Sequence, residues 1–380
     1  MGLLAGLYEP GTNCLYGIEP GLYTSEKGAF LKAVYDYRML AETHEIASAF
    51  AGWGSRGMKA FIDLLPVSRP DHIPFKIIST GCKKIWGRPG VYLKKESLQP
   101  AGSISSRGVC LIGGLAVEAE KSGIVAFSRQ SETVAAFIHL ANFVEQQILL
   151  FVPQSLELKL KPEEFPENFN CRREAGTDSE LYDRVRQVVD ERGWYNGTAG
   201  YNPYFREAYK TLAFEIYLEL GAVPERLYLS PSEGEVLSGV AKGFEELRNT
   251  GWTAAVPEIY AVLGPSSSSR LRWLEESAGQ RKKLSNIELS GMQRGLIDLY
   301  FAIEAIEQTG GEVVSLSRSA LKEYSRKSEI EKINVNDGTL MPADLLAAFE
   351  STEPANFENI VLLETGISTG RLFAEADNLN

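Results

Sequence analysis

The stretch IVAFSRQSETVAAFIHLANFVEQQILLFV, Ile124 to Val152, decides the fold. Ile124 to Phe127 is a short apolar run, Val134 to Phe143 carries apolar residues at i, i+3 and i+4, and Ile148 to Val152 is apolar again. A short run, a helical period and a second short run predict a β-α-β unit. Such crossovers are almost always right-handed and leave the two strands parallel. The connecting SRQSE, Ser128 to Glu132, therefore falls at the carboxyl end of a buried strand, where open α/β sheets bind ligands.

Working outward, the same grammar returns downstream. Phe205, Tyr209, Leu212, Ile216 and Leu220 mark one face of a helix, and Gly221 is placed to end it in the left-handed conformation. Leu227 to Leu229 reads as a strand, PSEGE as a loop and Val236 to Leu247 as a helix, with another strand-like run at Ile259 to Leu263. GPSSSSR, Gly264 to Arg270, follows it as a capping or anion-touching turn, and KPEEFPENFN is an irregular connection. The expected class is α/β with parallel-rich sheets in two domains. Residues 91–200 form the smaller one, 61–90 plus 201–380 the larger, and residues 1–60 an N-terminal arm, periodic around Phe30 to Leu40.

The 380 residues carry 39 Lys plus Arg against 50 Asp plus Glu, a formal net charge of −11. Bulk charge of that sign opposes a nucleic-acid or anionic-membrane partner. No apolar stretch approaches the roughly 18 residues of a membrane span, and the first residues lack the basic start of a signal peptide. Cys14, Cys82, Cys110 and Cys171 form no CxxC pair, which suits four free thiols in a reducing cytoplasm. His44, His72 and His139 have no ligand-pair spacing, so no metal site is expected.

VYLKKESLQPAGSISSRG, Val91 to Gly108, resembles the stretch K-x-E-x-x-N-P-T-G-S-F-K-D-R of threonine synthases and related fold-type-II (tryptophan synthase β-like) pyridoxal-phosphate enzymes, with Lys94, Glu96, Pro100, Gly102, Ser103 and Arg107 matching without a gap. NPYFREAYKTLAFE, Asn202 to Glu215, resembles that family's N-P-x-x-x-E-G-x-K-T-x-A-F-E, and FIDLLPV and VLSGVAKGFEELRNTG are also similar. The resemblance implies the two-domain fold-type-II architecture, amino-acid chemistry and a homodimer.

Three parts of the implied cofactor site depart from the family pattern. The position of the lysine that bonds the cofactor is Ser105, followed by Ser106, and a hydroxyl cannot form an imine with an aldehyde. The ring loop S-x-G-N reads Ser128, Arg129, Gln130, Ser131. The phosphate turn reads Pro231, Ser232, Glu233, Gly234, Glu235, where two carboxylates would repel a phosphate. Thr365, in LLETG, keeps the family's terminal T-G. Three departures together lead to the expectation that pyridoxal phosphate has been lost and that no cofactor is used.

On that expectation the chain is a pseudoenzyme acting on a protein partner, such as an active homologue, or on a small amino-acid-like ligand. A second reading is an altered enzyme whose cleft offers Ser103, Ser105, Ser106, Arg107 and Arg129 to a substrate, with Glu132, Glu233 or Glu235 as acid or base. A third keeps threonine- or cysteate-synthase-like chemistry through another lysine, such as Lys210. Lys94 and Lys95 read as a charged strand end.

Overall fold

The structure is a computed structural model; it describes residues 3–9, 12, 14–18, 25, 30–38, 50–85, 89–158, 162–231, 234–265, 274, 276, 297–319, 342–352 and 358–366. The chain opens with strands β1 (Leu4–Glu9), β2 (Cys14–Tyr16) and β3 (Lys32–Tyr35), which form an antiparallel sheet in the order β2-β1-β3. The periodicity around Phe30 thus resolves as a strand, with Leu31, Ala33 and Tyr35 turned into the main core beside Leu7. A helical stretch from Trp53 to Leu64 follows and buries Met58, Phe61 and Leu64.

Strands β4 (Cys82–Lys84) and β5 (Val91–Lys95) precede helix α1 (Ser105–Glu118). The unit that decided the fold comes next, as β6 (Gly123–Phe127), α2 (Ser131–Ala141) and β7 (Gln147–Pro153). Every residue of β6 is buried, because a parallel strand covered by helices on both faces meets no water. Strand β8 (Phe169–Glu174), helix α3 (Asp178–Arg192) and the short β9 (Tyr195–Asn196) complete a wholly parallel sheet in the order β8-β7-β6-β9. Helix α3 is punctuated from its own sequence: Thr177 and Glu180 make a reciprocal capping box, and Gly193 ends it at φ 65°.

The helix expected over Phe205 to Leu220 is divided at Lys210 into α4 (Phe205–Tyr209) and α5 (Thr211–Leu220), and Gly221 closes it at φ 68°. Then follow β10 (Arg226–Leu229), α6 (Glu235–Asn249), β11 (Glu258–Leu263), α7 (Ile297–Thr309), β12 (Val313–Ser315), α8 (Pro342–Ser351) and β13 (Ile360–Glu364). They make a second sheet, β12-β11-β10-β13-β5-β4, parallel except for the antiparallel edge strand β4. β13 slots between β10 and β5, so the end of the described chain lies at the sheet's centre beside residues near position 94. Both main sheets and their helices form an α/β fold with parallel-rich sheets. Among the described residues no helix is long and apolar enough to cross a membrane.

Helices α1, α4 and α6 pack closely because small residues face the contacts. A Cβ on Gly108 would stand 2.5 Å from the Phe205 ring, and one on Gly243 would stand 2.3 Å from the Lys210 carbonyl oxygen. Nothing larger than hydrogen fits at Gly243 without moving backbone.

Candidate functional site

Parallel strands bring their carboxyl ends to one side, and there the expected site residues separate into three groups. One lines a cleft of about 60 Å³ bounded by Phe127, Ser128, Arg129, Gln130, Thr133, Tyr182, Gly200, Glu235 and Asp298. A second makes the turn into α1, and a third is buried in ion pairs.

In the cleft, the loop after β6 is held by its own backbone. Ser128 Oγ accepts from the Gln130 amide at 3.0 Å and donates to the Gln130 carbonyl at 3.3 Å. Thr133 Oγ1 donates to Gln130 Oε1 at 3.2 Å and lies 3.2 Å from Ser105 Oγ. Ser105 begins α1 and Ser131 begins α2, so the hydroxyl run lies where two helices present their positive amino ends. Ser103 and Ser106 serve the turn into α1: Ser103 Oγ accepts from the Ser105 amide at 3.2 Å, and Ser106 Oγ accepts from the Ala101 amide at 3.1 Å. Thr365 reaches the same turn through its carbonyl, which accepts from the Ile104 amide at 2.9 Å.

Arg129 lines the cleft, yet its Nη1 is 3.0 Å from Asp178 Oδ2 at the start of α3, so its charge is shared with that carboxylate. Glu132 is pushed above the usual carboxylate range by burial, which opposes its ionised form. Gly234 lies at φ 106°, and a Cβ there would fall 2.2 Å from the Asp298 carbonyl carbon. Its glycine has a packing reason in the close approach of α6 to α7. Ser232 and Glu233 lie outside the described residues, as do most of GPSSSSR and His44.

Arg107 is not in the cleft. Its guanidinium is wholly buried, with Nε 2.7 Å from Glu96 Oε2 and Nη1 2.7 Å from Glu215 Oε1. Nη2 donates to both carboxylates at 3.0 Å, and Nη1 also reaches Thr211 Oγ1 at 3.1 Å. Lys94 Nζ joins at 2.7 Å from Glu215 Oε2, which replaces the expected charged strand end with a buried pair. Burial works against the Glu215 charge, but Arg107 and Lys94 outweigh it and hold the carboxyl below its usual range. Two cations and two carboxylates balance here, and each hydrogen-bonds in full view of the other.

Lys210 is tied away from the cleft as well. Its Nζ is 2.6 Å from Glu207 Oε2 and 3.0 Å from Glu246 Oε1, and it stands 3.6 Å over the Tyr35 ring. Lys242 reaches the same two carboxylates at 2.9 and 2.6 Å. No lysine lines the cleft among the described residues.

His72 pairs with Glu118 at 3.0 Å, and His139 packs edge-on to Phe75 with ring centroids 4.7 Å apart. Among the described residues no group of three or more His, Cys, Asp or Glu could hold a metal. The reading from sequence passed over Thr133, Tyr182 and Asp298. Thr133 was within reach as the first polar residue past the SRQSE loop; Asp298 had no signal, since it enters through the packing of α7 on α6.

A model of the pyridoxal-phosphate dependent enzymes matches residues 77–339, well over half of the chain. The chain belongs to this family. It is 24% identical over 261 residues to the threonine synthase of Methanocaldococcus jannaschii, covering 65% of this chain and 62% of that protein. The threonine synthase of Methanosarcina acetivorans is 22% identical over 315 residues, covering 80% of this chain and 76% of that one. The solved structure of a pyridoxal 5'-phosphate-dependent aspartate racemase superposes with a TM-score of 0.55 at 16% identity, over 78% of this chain and 92% of that one, a likeness of fold.

Family membership corrects the expectation that no cofactor belongs to this chain, because the matched family is defined by its dependence on pyridoxal phosphate. Bound to an enzyme, that group draws electrons away from an amino acid's α carbon. The described cleft supplies no amine for a covalent bond to it, since its lining holds no lysine and both Lys94 and Lys210 are spent in buried ion pairs. No chemical step is therefore routed through the cofactor here.

Proposed function

We propose that this threonine synthase-like chain binds a small amino-acid-like ligand in the cleft, with the ligand's carboxylate at the start of α1 and α2. The observation that carries this is the run from Ser105 Oγ through Thr133 Oγ1 to Gln130 Oε1, at 3.2 Å for each link, across two helix amino ends. Each helix end favours an anion by roughly 0.3 to 1 kcal/mol at a surface and up to about 2 kcal/mol when partly buried. Glu235 and Asp298 border the same cleft and suit an ammonium group. Ser105 stands where the resemblance places the cofactor-bonding lysine, so the chain's own groups bind and orient the ligand through hydroxyl and amide hydrogen bonds.

Calorimetric titration with L-serine and L-threonine tests this. The amino acids bind, their methyl esters do not, and Thr133→Val, which removes the hydroxyl that holds Gln130 and Ser105 in place, weakens binding about five- to tenfold, the worth of one hydrogen bond of roughly 1 kcal/mol. Equal binding of acid and ester, or an unchanged Thr133→Val, overturns it.

A further inference from the structure

A second cavity, of about 300 Å³, lies between the N-terminal sheet and helices α6 and α7, and it shares no lining residue with the cleft. Arg206 of α4 enters it, 5% exposed, with its guanidinium over two neighbouring phenyl rings whose centroids are 5.1 Å apart, 4.5 Å from the Phe30 centroid and 4.4 Å from that of Phe301. Among the described residues this guanidinium makes no hydrogen bond and no ion pair, and its Nε is buried without any partner. Burial lowers its hold on the proton, against the pull of Asp298, Glu207 and Glu304. A buried guanidinium with five donors and no acceptor is costly unless an acceptor arrives.

The rest of the lining says which acceptor. Lys32, Arg206 and Lys242 face Glu245, Glu246 and Glu304 across the cavity. Lys32 is spent on Glu304 at 2.9 Å, and Lys242 on Glu246 at 2.6 Å and Glu207 at 2.9 Å. Glu245 remains without a hydrogen bond or ion pair among the described residues, and burial raises its affinity for a proton. Arg206, drawn by Asp298, Glu207 and Glu304, and Glu245, drawn by Lys32, Arg248 and Lys242, thus border one space with no close ion pair of their own among the described residues. A phosphate dianion would meet three carboxylates, whereas a zwitterion offers one charge of each sign.

We propose that this cavity is a binding site for a free α-amino acid, its carboxylate on Arg206 and its ammonium on Glu245, distinct from the cleft at the ends of the parallel strands. The two phenyl rings hold the guanidinium by cation–π contact, so that the ligand's carboxylate meets donors already held in place. Asn249 and Gln308 line the same wall and offer amide groups to a polar side chain.

Calorimetric titration of the full chain with each of the ordinary α-amino acids, at millimolar concentrations, tests the site. At least one binds saturably in a manner that survives Thr133→Val, a change confined to the cleft, and is weakened about 30-fold by Arg206→Met, which keeps an apolar side chain against the rings. Glu245→Gln weakens the same binding about tenfold, and neither the methyl ester nor the N-acetyl derivative of that amino acid competes. Circular dichroism and urea midpoints establish that the variants are folded; should Arg206→Met not fold, Glu245→Gln and the two derivatives decide. Binding lost with Thr133→Val but kept in Arg206→Met and Glu245→Gln belongs to the cleft alone and overturns the second site, as does the absence of any amino acid whose binding survives Thr133→Val. If no binding is weakened by Thr133→Val, the cleft reading fails and this one stands.

Discussion

Arg107 and Glu215 meet across the core with Nη1 2.7 Å from Oε1 and both side chains wholly buried. The contact joins α1 to α5, and Glu96 grips the other edge of the guanidinium. The residues that tie the chain to its family in sequence, Lys94, Glu96, Arg107 and Glu215, are therefore a structural network behind the cleft.

Removing one partner of such a network leaves a buried charge without compensation. Arg107→Met should cost about 3 to 5 kcal/mol of stability, because Glu96 and Glu215 stay behind in a water-free site. Urea unfolding checks this. A loss under about 1 kcal/mol would show that the carboxylates find other partners.

Acid should destabilise the protein through carboxylates whose folded pKa lies below the unfolded value. Burial disfavours the Glu207 charge, but Lys210 and Lys242 outweigh it and bring its pKa from 4.5 to about 2, and Glu215 is shifted in the same direction. In the unfolded chain these groups take up protons near pH 4.5; in the folded chain they do so only near pH 2 for Glu207. Their contribution is complete above pH 4.5 and falls as pH drops toward 2. Urea midpoints measured across that interval should decline steadily, and a flat profile would contradict the buried pairs.

Gly243→Ala places a methyl group 2.3 Å from the Lys210 carbonyl oxygen and 2.7 Å from the Ala213 Cβ. Overpacking of this kind typically costs about 1 to 3 kcal/mol. Thermal unfolding should show the loss, with helix content unchanged; a neutral variant would mean that α6 moves away from α5 freely.

Ser105→Lys tests the place of this residue beside Thr133 at the cleft wall. With an amine at position 105, incubation with pyridoxal phosphate followed by borohydride should fix the cofactor there, read by peptide mass spectrometry. Labelling of the same other lysine in wild type and variant alike would remove Ser105 from the role the resemblance gives it.

Much of the architecture was legible in the sequence because its signals are local. The apolar runs and helical period of Ile124 to Val152 become β6, α2 and β7 with shifts of up to three residues, and Gly221 ends α5 as its position implied. The loop Ser128 to Glu132 was expected at the carboxyl end of a buried parallel strand, and Ser128, Arg129 and Gln130 of it line the cleft. Tertiary structure decided which charged residues face solvent, cleft or core. Arg107 and Arg129 look alike in a sequence, but one is enclosed by Glu96 and Glu215 and the other borders the cleft beside Asp178. The pairing of β13 between β10 and β5, the approach of Asp298 to Gly234, and the cavity around Arg206 join residues tens to hundreds of positions apart. Local periodicity fixes which face of an element is apolar; only packing among elements fixes which partner that face and its charges will find.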